Sequence, residues 1–453
     1  MWVTKDNLAA LIDLYELTMA QAYLLEGMEE PAVFSLSYRK LPPGRNVMLC
    51  CGVGDALEAL QELRFHGEVL AYLEGLGCFQ KPFLDWLERF SFRGTVHAML
   101  DGTPAFPNEP VMEVEAALPV GQLIESLLLN MIHLQMVLAS KALRMVLAAG
   151  GRPVIDFGLR RMHGVDAALK GVKAYAIAGL EATSNVLGAM AYGLPVTGTM
   201  AHSYIQAHDD ESQAFAAFVG HYPKTTLLVD TYDSIQGVCH VIELAKRLGP
   251  AFGVRAIRLD SGDLSSLARQ ARTLLDEAGL HQVRIIASGG LTEQSVAAMV
   301  AAEVPVDAFA VGTHMGVSED APTVDLAYKL TSYRGSGRMK TAPGKGMFPG
   351  RHQVFRCVDG AKGFDILALR DEVLEGEPLL QAVLHDGKPL AAEAFTVAAC
   401  RDRAQRGLAA LPGAMRELAP APVSYPVHLS PALRSYRDSV EQALSLGLPP
   451  SVA

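Results

Sequence analysis

Between residues 202 and 210 the chain gathers His202, His208, Asp209 and Asp210. Imidazole nitrogens attack electrophiles or bind metals, and neighbouring carboxylates orient them or carry protons. Just upstream runs YGLPVTGTMA, residues 192–201. Pro195 disfavours helix through Leu194, Val196 and Thr197 suit a short buried strand, and a turn follows at Gly198 and Thr199. That order delivers His202 to the mouth of a strand.

Comparable polar groups recur where other apolar runs stop. Asp156 lies near the end of the run that stops at Phe157, with Arg160, Arg161 and His163 after it, and Asp230, Asp233 and Ser234 follow the run ending at Val229. The richest loop, Arg258, Asp260, Ser261, Gly262 and Asp263, closes residues 254–259. Ser288, Gly289 and Gly290 follow residues 283–287, and Gly312 and Thr313 follow residues 309–311. Glycines let backbone N–H groups approach anionic oxygens, hydroxyls add hydrogen bonds, and arginine forks across phosphate or carboxylate. Together these are the parts of an anion cradle. Each alone has a plainer reading: Ser-Gly-Gly as a turn, Arg160 and Arg258 as scaffold ion pairs. Asp260 and Asp263 suit ribose hydroxyls or Mg2+-bound water, and equally the capping of a helix that starts near Leu264.

The elements that must position these groups alternate. Strand-like runs, with one more expected at residues 173–176, are separated by helical periods at 235–248, 264–278 and 292–302, which predicts parallel β/α units. If the strands close into a barrel, their C-terminal loops converge on one face. An open doubly wound sheet explains the same alternation, but no GxGxxG fingerprint accompanies it, which argues against a dinucleotide oxidoreductase. Earlier, residues 8–23 have helical periodicity with Tyr15 on the apolar face; strands are expected at 33–39 and 47–51, a helix at 53–63, extended runs at 96–99 and 111–114, and a buried helix over 123–147. After Met315 a return crossing at 325–331 leads to a basic segment, peripheral strands over 363–399 and helices at 412–418 and 431–446. The expected division is 1–120, 121–335 and 336–453, with completion of the first part by later chain left open.

With 453 residues the chain exceeds one ordinary core, and 50% apolar content excludes a disordered chain. The net charge of −10 argues against a nucleic-acid surface while leaving room for a local phosphate pocket. Six cysteines without a CxxC pair point to a reducing cytoplasm. Asp13 and Glu16 in the opening stretch argue against a secretion signal, and Lys141 and Arg144 interrupt the most apolar run, so no membrane span is expected. A metal-dependent barrel hydrolase is a competing class, since His202, His208, Asp209, Asp210, Cys239 and His240 are suitable zinc ligands, but their spacing fits no zinc motif.

In order along the chain, KDNLAALIDLYELTMAQAY, DFGLRRMHG, TSNVLGAMAYGLPVTGTMAHSY, LLVDTYDS, IRLDSGD, IIASGGL, FAVGTHMG and GRMK with the following PGRHQVFR resemble the nicotinate phosphoribosyltransferase family. The resemblance implies an α/β fold of type II phosphoribosyltransferase kind: an irregular α/β barrel with an N-terminal α/β sandwich-like domain and a C-terminal extension. It implies formation of nicotinate ribonucleotide and pyrophosphate from nicotinate and 5-phosphoribosyl 1-pyrophosphate, the first step of nicotinate salvage to NAD. ATP hydrolysis is coupled through transient phosphorylation of His202, with Mg2+ as cofactor. By the same resemblance Tyr15 and Arg160 recognise nicotinate. Thr199, Arg258, Asp260, Ser261, Gly262 and Asp263 serve ribose and pyrophosphate, and Asp260 and Asp263 are candidate Mg2+ ligands. Ser288, Gly289, Gly290, Gly312 and Thr313 cradle the 5-phosphate, and Arg338, Lys340 and Lys345 approach ATP or pyrophosphate. Ser203 departs from the acidic residue many relatives carry after the histidine. A homodimer with shared active sites is implied, Tyr15 serving a neighbouring subunit. Nicotinamide phosphoribosyltransferase is the nearest alternative, and a quinolinate enzyme a more distant one.

Overall fold

Six strands carry the loops singled out above: β1 (Val154–Asp156), β2 (Ala182–Thr183), β3 (Thr226–Leu228), β4 (Ala256–Leu259), β5 (Arg284–Ala287) and β6 (Ala308–Val311). They form one sheet in the order β2–β1–β6–β5–β4–β3, and all five pairings are parallel. The structure, a computed structural model, describes residues 2–341, 348–359 and 362–448.

Parallel neighbours need crossovers, and helices supply them. Ser234–Leu248, Leu264–Glu277 and Glu293–Ala301 lie where the helical periods predict, and each begins on a side chain that accepts backbone N–H bonds: Asp233, Asp263 and Thr292 respectively. One expected strand is wrong. Residues 173–176 lie inside helix Val165–Ala178, and the strand in that unit is the two-residue β2. The helix is buried continuously from Gly171 to Ala178, so its local pattern has no polar face to reveal a helical period.

Val196 joins the outer edge of β2 through an isolated parallel bridge to Thr183. Its side chain is 57% exposed, so the short strand expected there is not buried. The opposite edge of the sheet is β3, and Thr231 follows it. His202, which follows Val196, nevertheless shares a 3.1 Å hydrogen bond with Thr231. Chain segments beyond the two opposite edges therefore meet at the C-terminal end, which requires the sheet to curl.

Two compact units divide the chain, residues 140–322 and residues 1–139 with 323–453. Residues 121–139 and 323–335, expected with the barrel, thus belong with the N-terminal unit, as does everything after 335. The reason is strand pairing: Leu326–Tyr333 lies antiparallel to Pro31–Tyr38, which also pairs with Pro110–Ala117. These sit inside a seven-stranded sheet, with Phe34 stacked on Tyr328 at 4.9 Å between ring centroids. A further four-stranded sheet contains His352–Asp359 and Lys362–Leu369, where the buried Arg356 guanidinium donates to both carboxylate oxygens of Asp365 at 3.0 and 2.6 Å. The segment Leu118–Ala148 is long and apolar enough to cross a membrane, yet 61% of its most apolar window is buried within the fold.

Candidate active site

The site is built around Arg258, whose side chain rises from β4 at the C-terminal end of the sheet. Its Nε donates to Ser288 Oγ at 2.7 Å, one Nη to Thr199 Oγ1 at 2.9 Å, and the other Nη to Asp260 Oδ1 at 2.5 Å. Ser288 Oγ also donates to Asp260 Oδ1 at 2.6 Å. The guanidinium stacks over the Phe157 ring at 5.3 Å. Three strand-end loops distant in sequence are tied into one polar surface. Burial pushes the Asp260 carboxyl upward, but the Ser288 hydroxyl and Arg258 outweigh it and hold the group below the usual carboxylate range. Asp260 therefore stands as a carboxylate.

His202 opens the short helix His202–Gln206 and is 43% exposed on its side chain. Its Nδ1 meets Thr231 Oγ1, and its Nε2 stands 3.9 Å from Asp260 Oδ2. One ring nitrogen is thus oriented by a hydroxyl while the other faces the Asp260 carboxylate. Ser203, beside it, is exposed.

The loop after β4 is shaped by Asp230. Its Oδ2 accepts from Asp260 N at 3.0 Å and Ser261 Oγ at 2.6 Å, while Oδ1 is buried and has no hydrogen-bond partner among the described residues. Gly262 turns the chain at φ 80°, and Asp263 caps the next helix, accepting from Ser265 N and Ser266 N at 3.2 Å each. The capping reading of Asp263 holds for its Oδ1.

Gly289 is obligatory in this arrangement. At φ 84°, an added Cβ would lie 1.7 Å from the Asp260 carbonyl oxygen. The backbone of the Ser-Gly-Gly turn thereby packs against the Asp260 loop. Gly312 stands at the start of Thr313–Gly316, beside the Phe157–Gly158 backbone. Below it, buried Asp156 accepts from Gly158 N at 2.7 Å and Thr183 Oγ1 at 2.6 Å, and burial raises its pKa despite those bonds. Asp156 is a loop organiser.

Arg160 lies exposed in the turn Leu159–Arg161, and its guanidinium makes no hydrogen bond or ion pair among the described residues. It is thereby available to an anion. The zinc-type side chains do not assemble. His208 bonds to Tyr204 O, Asp210 caps Glu211–His221, His240 pairs with Glu211, and no cluster of three or more His, Cys, Asp or Glu suited to a metal occurs among the described residues.

The remaining candidates belong to the other unit. Tyr15 is 45% exposed on helix Leu14–Leu25, and burial followed by Glu125 raises its hydroxyl pKa. Arg338 donates to the carbonyls of Ser336 and Gly337 at 3.2 and 3.0 Å, and Lys340 is exposed. Lys345 lies outside the described residues. The sequence reading missed Thr231 and Thr183, small hydroxyls adjacent to the aspartates it did single out; only their place beside a strand end distinguishes them.

Residues 11–133 match the nicotinate phosphoribosyltransferase (NAPRTase) N-terminal domain, and residues 153–345 match the nicotinate phosphoribosyltransferase (NAPRTase) family. The chain is 51% identical over 428 residues to nicotinate phosphoribosyltransferase pncB2 of Mycobacterium tuberculosis, covering 94% of this chain and 92% of that one. It is 36% identical over 387 residues to the Bacillus subtilis nicotinate phosphoribosyltransferase, covering 83% and 79%. The crystal structure of human nicotinic acid phosphoribosyltransferase superposes with a TM-score of 0.84 at 26% identity, covering 94% of this chain and 99% of that one.

Proposed function

Since this chain belongs to the nicotinate phosphoribosyltransferase family, we propose that the strand-end cluster joins nicotinate to phosphoribosyl pyrophosphate and that His202 couples the transfer to ATP. The product, nicotinate ribonucleotide, enters NAD salvage. The observation that carries the reading is His202 set between Thr231 and Asp260 beside the Arg258 fork. We read the curled sheet as the irregular barrel of a type II phosphoribosyltransferase, with the other unit supplying the sandwich-like domain and C-terminal extension, in a cytoplasmic homodimer.

In the coupling step the His202 Nε2 lone pair attacks the γ-phosphorus of ATP. A nitrogen–phosphorus bond forms, the bond to the bridging β,γ-oxygen breaks, and ADP leaves with that electron pair. Thr231 holds Nδ1, so that Nε2 is the free nucleophile. Water later cleaves the phosphohistidine, releasing phosphate and restoring the imidazole.

In the transfer step the nicotinate ring nitrogen attacks the anomeric carbon as the bond to pyrophosphate breaks. Arg160 pairs with the nicotinate carboxylate, and Tyr15 supplies an aromatic face. Arg258, Thr199 and Ser261 address ribose and pyrophosphate oxygens, with Gly262 permitting close backbone approach. The Ser288, Gly289, Gly290, Gly312 and Thr313 backbones and hydroxyls hold the 5-phosphate, and Arg338, Lys340 and Lys345 serve ATP or pyrophosphate. Excluding water protects the electrophilic carbon from hydrolysis.

Mg2+ fits the carboxylates present. Asp260 Oδ2 faces the site, Asp230 Oδ1 is buried without a partner, and Mg2+ is commonly held by one or two carboxylates together with substrate phosphates. When bound it would neutralise phosphate charge. Asp263 is the weaker ligand, because its Oδ1 caps a helix.

Nicotinate is favoured over nicotinamide by the unpaired Arg160, which matches a carboxylate. Product mass from competing nicotinate, nicotinamide and quinolinate, with and without ATP, tests the assignment. Nicotinate ribonucleotide is expected to dominate and to rise with ATP; preferential use of either competitor would overturn it.

A further inference from the structure

A buried cation bridges the two segments that continue from the loops proposed to hold the 5-phosphate. Lys141, on helix Glu125–Ala148, has only 2% of its side chain exposed, and its Nζ donates to Glu293 Oε2 at 2.6 Å and to Asp320 Oδ1 at 2.8 Å. Glu293 is 1% exposed and accepts on Oε1 from Arg144 Nε at 3.2 Å. A lysine ammonium carries three rotatable donors on a flexible stem, so one nitrogen can serve two carboxylates from different elements.

Each carboxylate stands shortly after one of those loops. Ser288, Gly289 and Gly290 follow β5, and Glu293 is the first residue of the next helix, whose cap Thr292 accepts from Ser295 N at 3.2 Å. Gly312 and Thr313 follow β6. After helix Thr313–Gly316 the chain turns back at Ser318, φ 45°, where Glu319 N donates to His314 O at 3.2 Å and Ser318 Oγ to Ala321 O at 2.7 Å. Asp320 is thereby fixed close behind the Gly312–Thr313 loop. β5 and β6 are parallel neighbours, Ile286 paired with Ala308 and Ala287 with Phe309. Backbone pairing sets the spacing of the strands, and past their ends the Lys141 bridge sets the spacing of the segments.

We propose that Lys141 is a positioning residue for the transfer reaction. By holding Glu293 and Asp320 on one ammonium it fixes the gap between the Ser288–Gly290 and Gly312–Thr313 loops, and with it the fit of the 5-phosphate of phosphoribosyl pyrophosphate. An apolar cluster of similar volume would stabilise the core as well without desolvating charges, and what the ionic form adds is a fixed spacing. The proposal rests on the reading of those loops as the phosphate cradle, and Lys141 acts through them.

The test compares the full-length parent with two variants. Lys141→Met keeps the apolar stem and removes the ammonium; Asp320→Ala removes one arm, at a side chain 35% exposed, and leaves the buried Lys141–Glu293 pair. Hydrogen–deuterium exchange of the free chains is expected to quicken over residues 288–293 and 312–320 in both variants. In steady-state kinetics kcat/KM for phosphoribosyl pyrophosphate is expected to fall about tenfold or more, the cost of a small misplacement of a bound reactant, while KM for nicotinate stays that of the parent. If Lys141→Met does not fold, Asp320→Ala is read the same way. Unchanged exchange over both segments would overturn the bridge whatever the substrate; faster exchange with unchanged kcat/KM for phosphoribosyl pyrophosphate, or equal losses for both substrates, would overturn the positioning role. A parent that forms no nicotinate ribonucleotide would instead overturn the assigned reaction, and exchange would still decide the bridge.

Discussion

His202 and Thr231 meet across the opening of the curled sheet, Nδ1 to Oγ1 at 3.1 Å, although 29 residues separate them in the chain. The contact fixes which nitrogen of the imidazole is engaged and leaves Nε2 toward Asp260. A hydroxyl here does the orienting that a carboxylate performs in many nucleophilic histidines, and it adds no negative charge beside the nitrogen that we propose attacks a phosphate.

Thr231→Val keeps the shape of the side chain and removes that hydrogen bond. The expected outcome is a ten- to hundredfold fall in the ATP-dependent rate, about 1.5–3 kcal/mol, with the KM for nicotinate nearly unchanged. Steady-state kinetics with and without ATP measure the split; an equal loss in both would make Thr231 merely structural.

Gly289→Ala and Gly290→Ala form a matched pair. A Cβ at Gly289 would press on the Asp260 carbonyl at 1.7 Å, whereas at Gly290 nothing lies within 4 Å and only φ 59° is strained. Gly289→Ala is expected to cost at least about 3 kcal/mol of stability and most of the activity, against about 1 kcal/mol for Gly290→Ala. Thermal melts and kcat/KM for phosphoribosyl pyrophosphate check the ranking.

Arg160→Ala removes the unpaired guanidinium proposed for the nicotinate carboxylate. A ten- to hundredfold loss in kcat/KM for nicotinate is expected, with little change for nicotinamide. Parallel losses for both substrates would place the carboxylate elsewhere.

Much of the site was legible because chemistry and periodicity coincide in short windows. β4 and the loops after β4 and β5 end clear apolar runs and hold Arg258, Asp260 and Ser288 respectively, and the structure ties those residues into one network. What failed was set by distant contacts. Residues 173–176 look like a strand only if the buried helix around them is ignored, and β2, two residues long, leaves no pattern to read. The pairing of Leu326–Tyr333 with Pro31–Tyr38 moved the unit boundary, and nothing near residue 326 encodes a partner some 290 positions earlier.

Glu16 gives a pH prediction. Burial raises its carboxyl from 4.5 to about 7, more than hydrogen bonds from Ser126 lower it, and Oε2 has no partner among the described residues. The folded state then holds a proton that the unfolded state releases, so stability is greatest below about pH 4.5 for this group and falls as pH rises to about 7. Glu16→Gln should abolish that slope, gaining on the order of 2 kcal/mol relative to the parent at pH 8 but not at pH 4. Denaturant melts at the two pH values check it; a parallel shift at both would refute the titration.

The central claim is that His202 carries phosphate from ATP. The direct measurement is incubation of the full chain with γ-labelled ATP and Mg2+, followed by mapping of acid-labile label. The account predicts label on the peptide containing His202, discharged when phosphoribosyl pyrophosphate and nicotinate are added, and absent from His202→Asn. Label that persists in His202→Asn, or that maps to another residue, would contradict it.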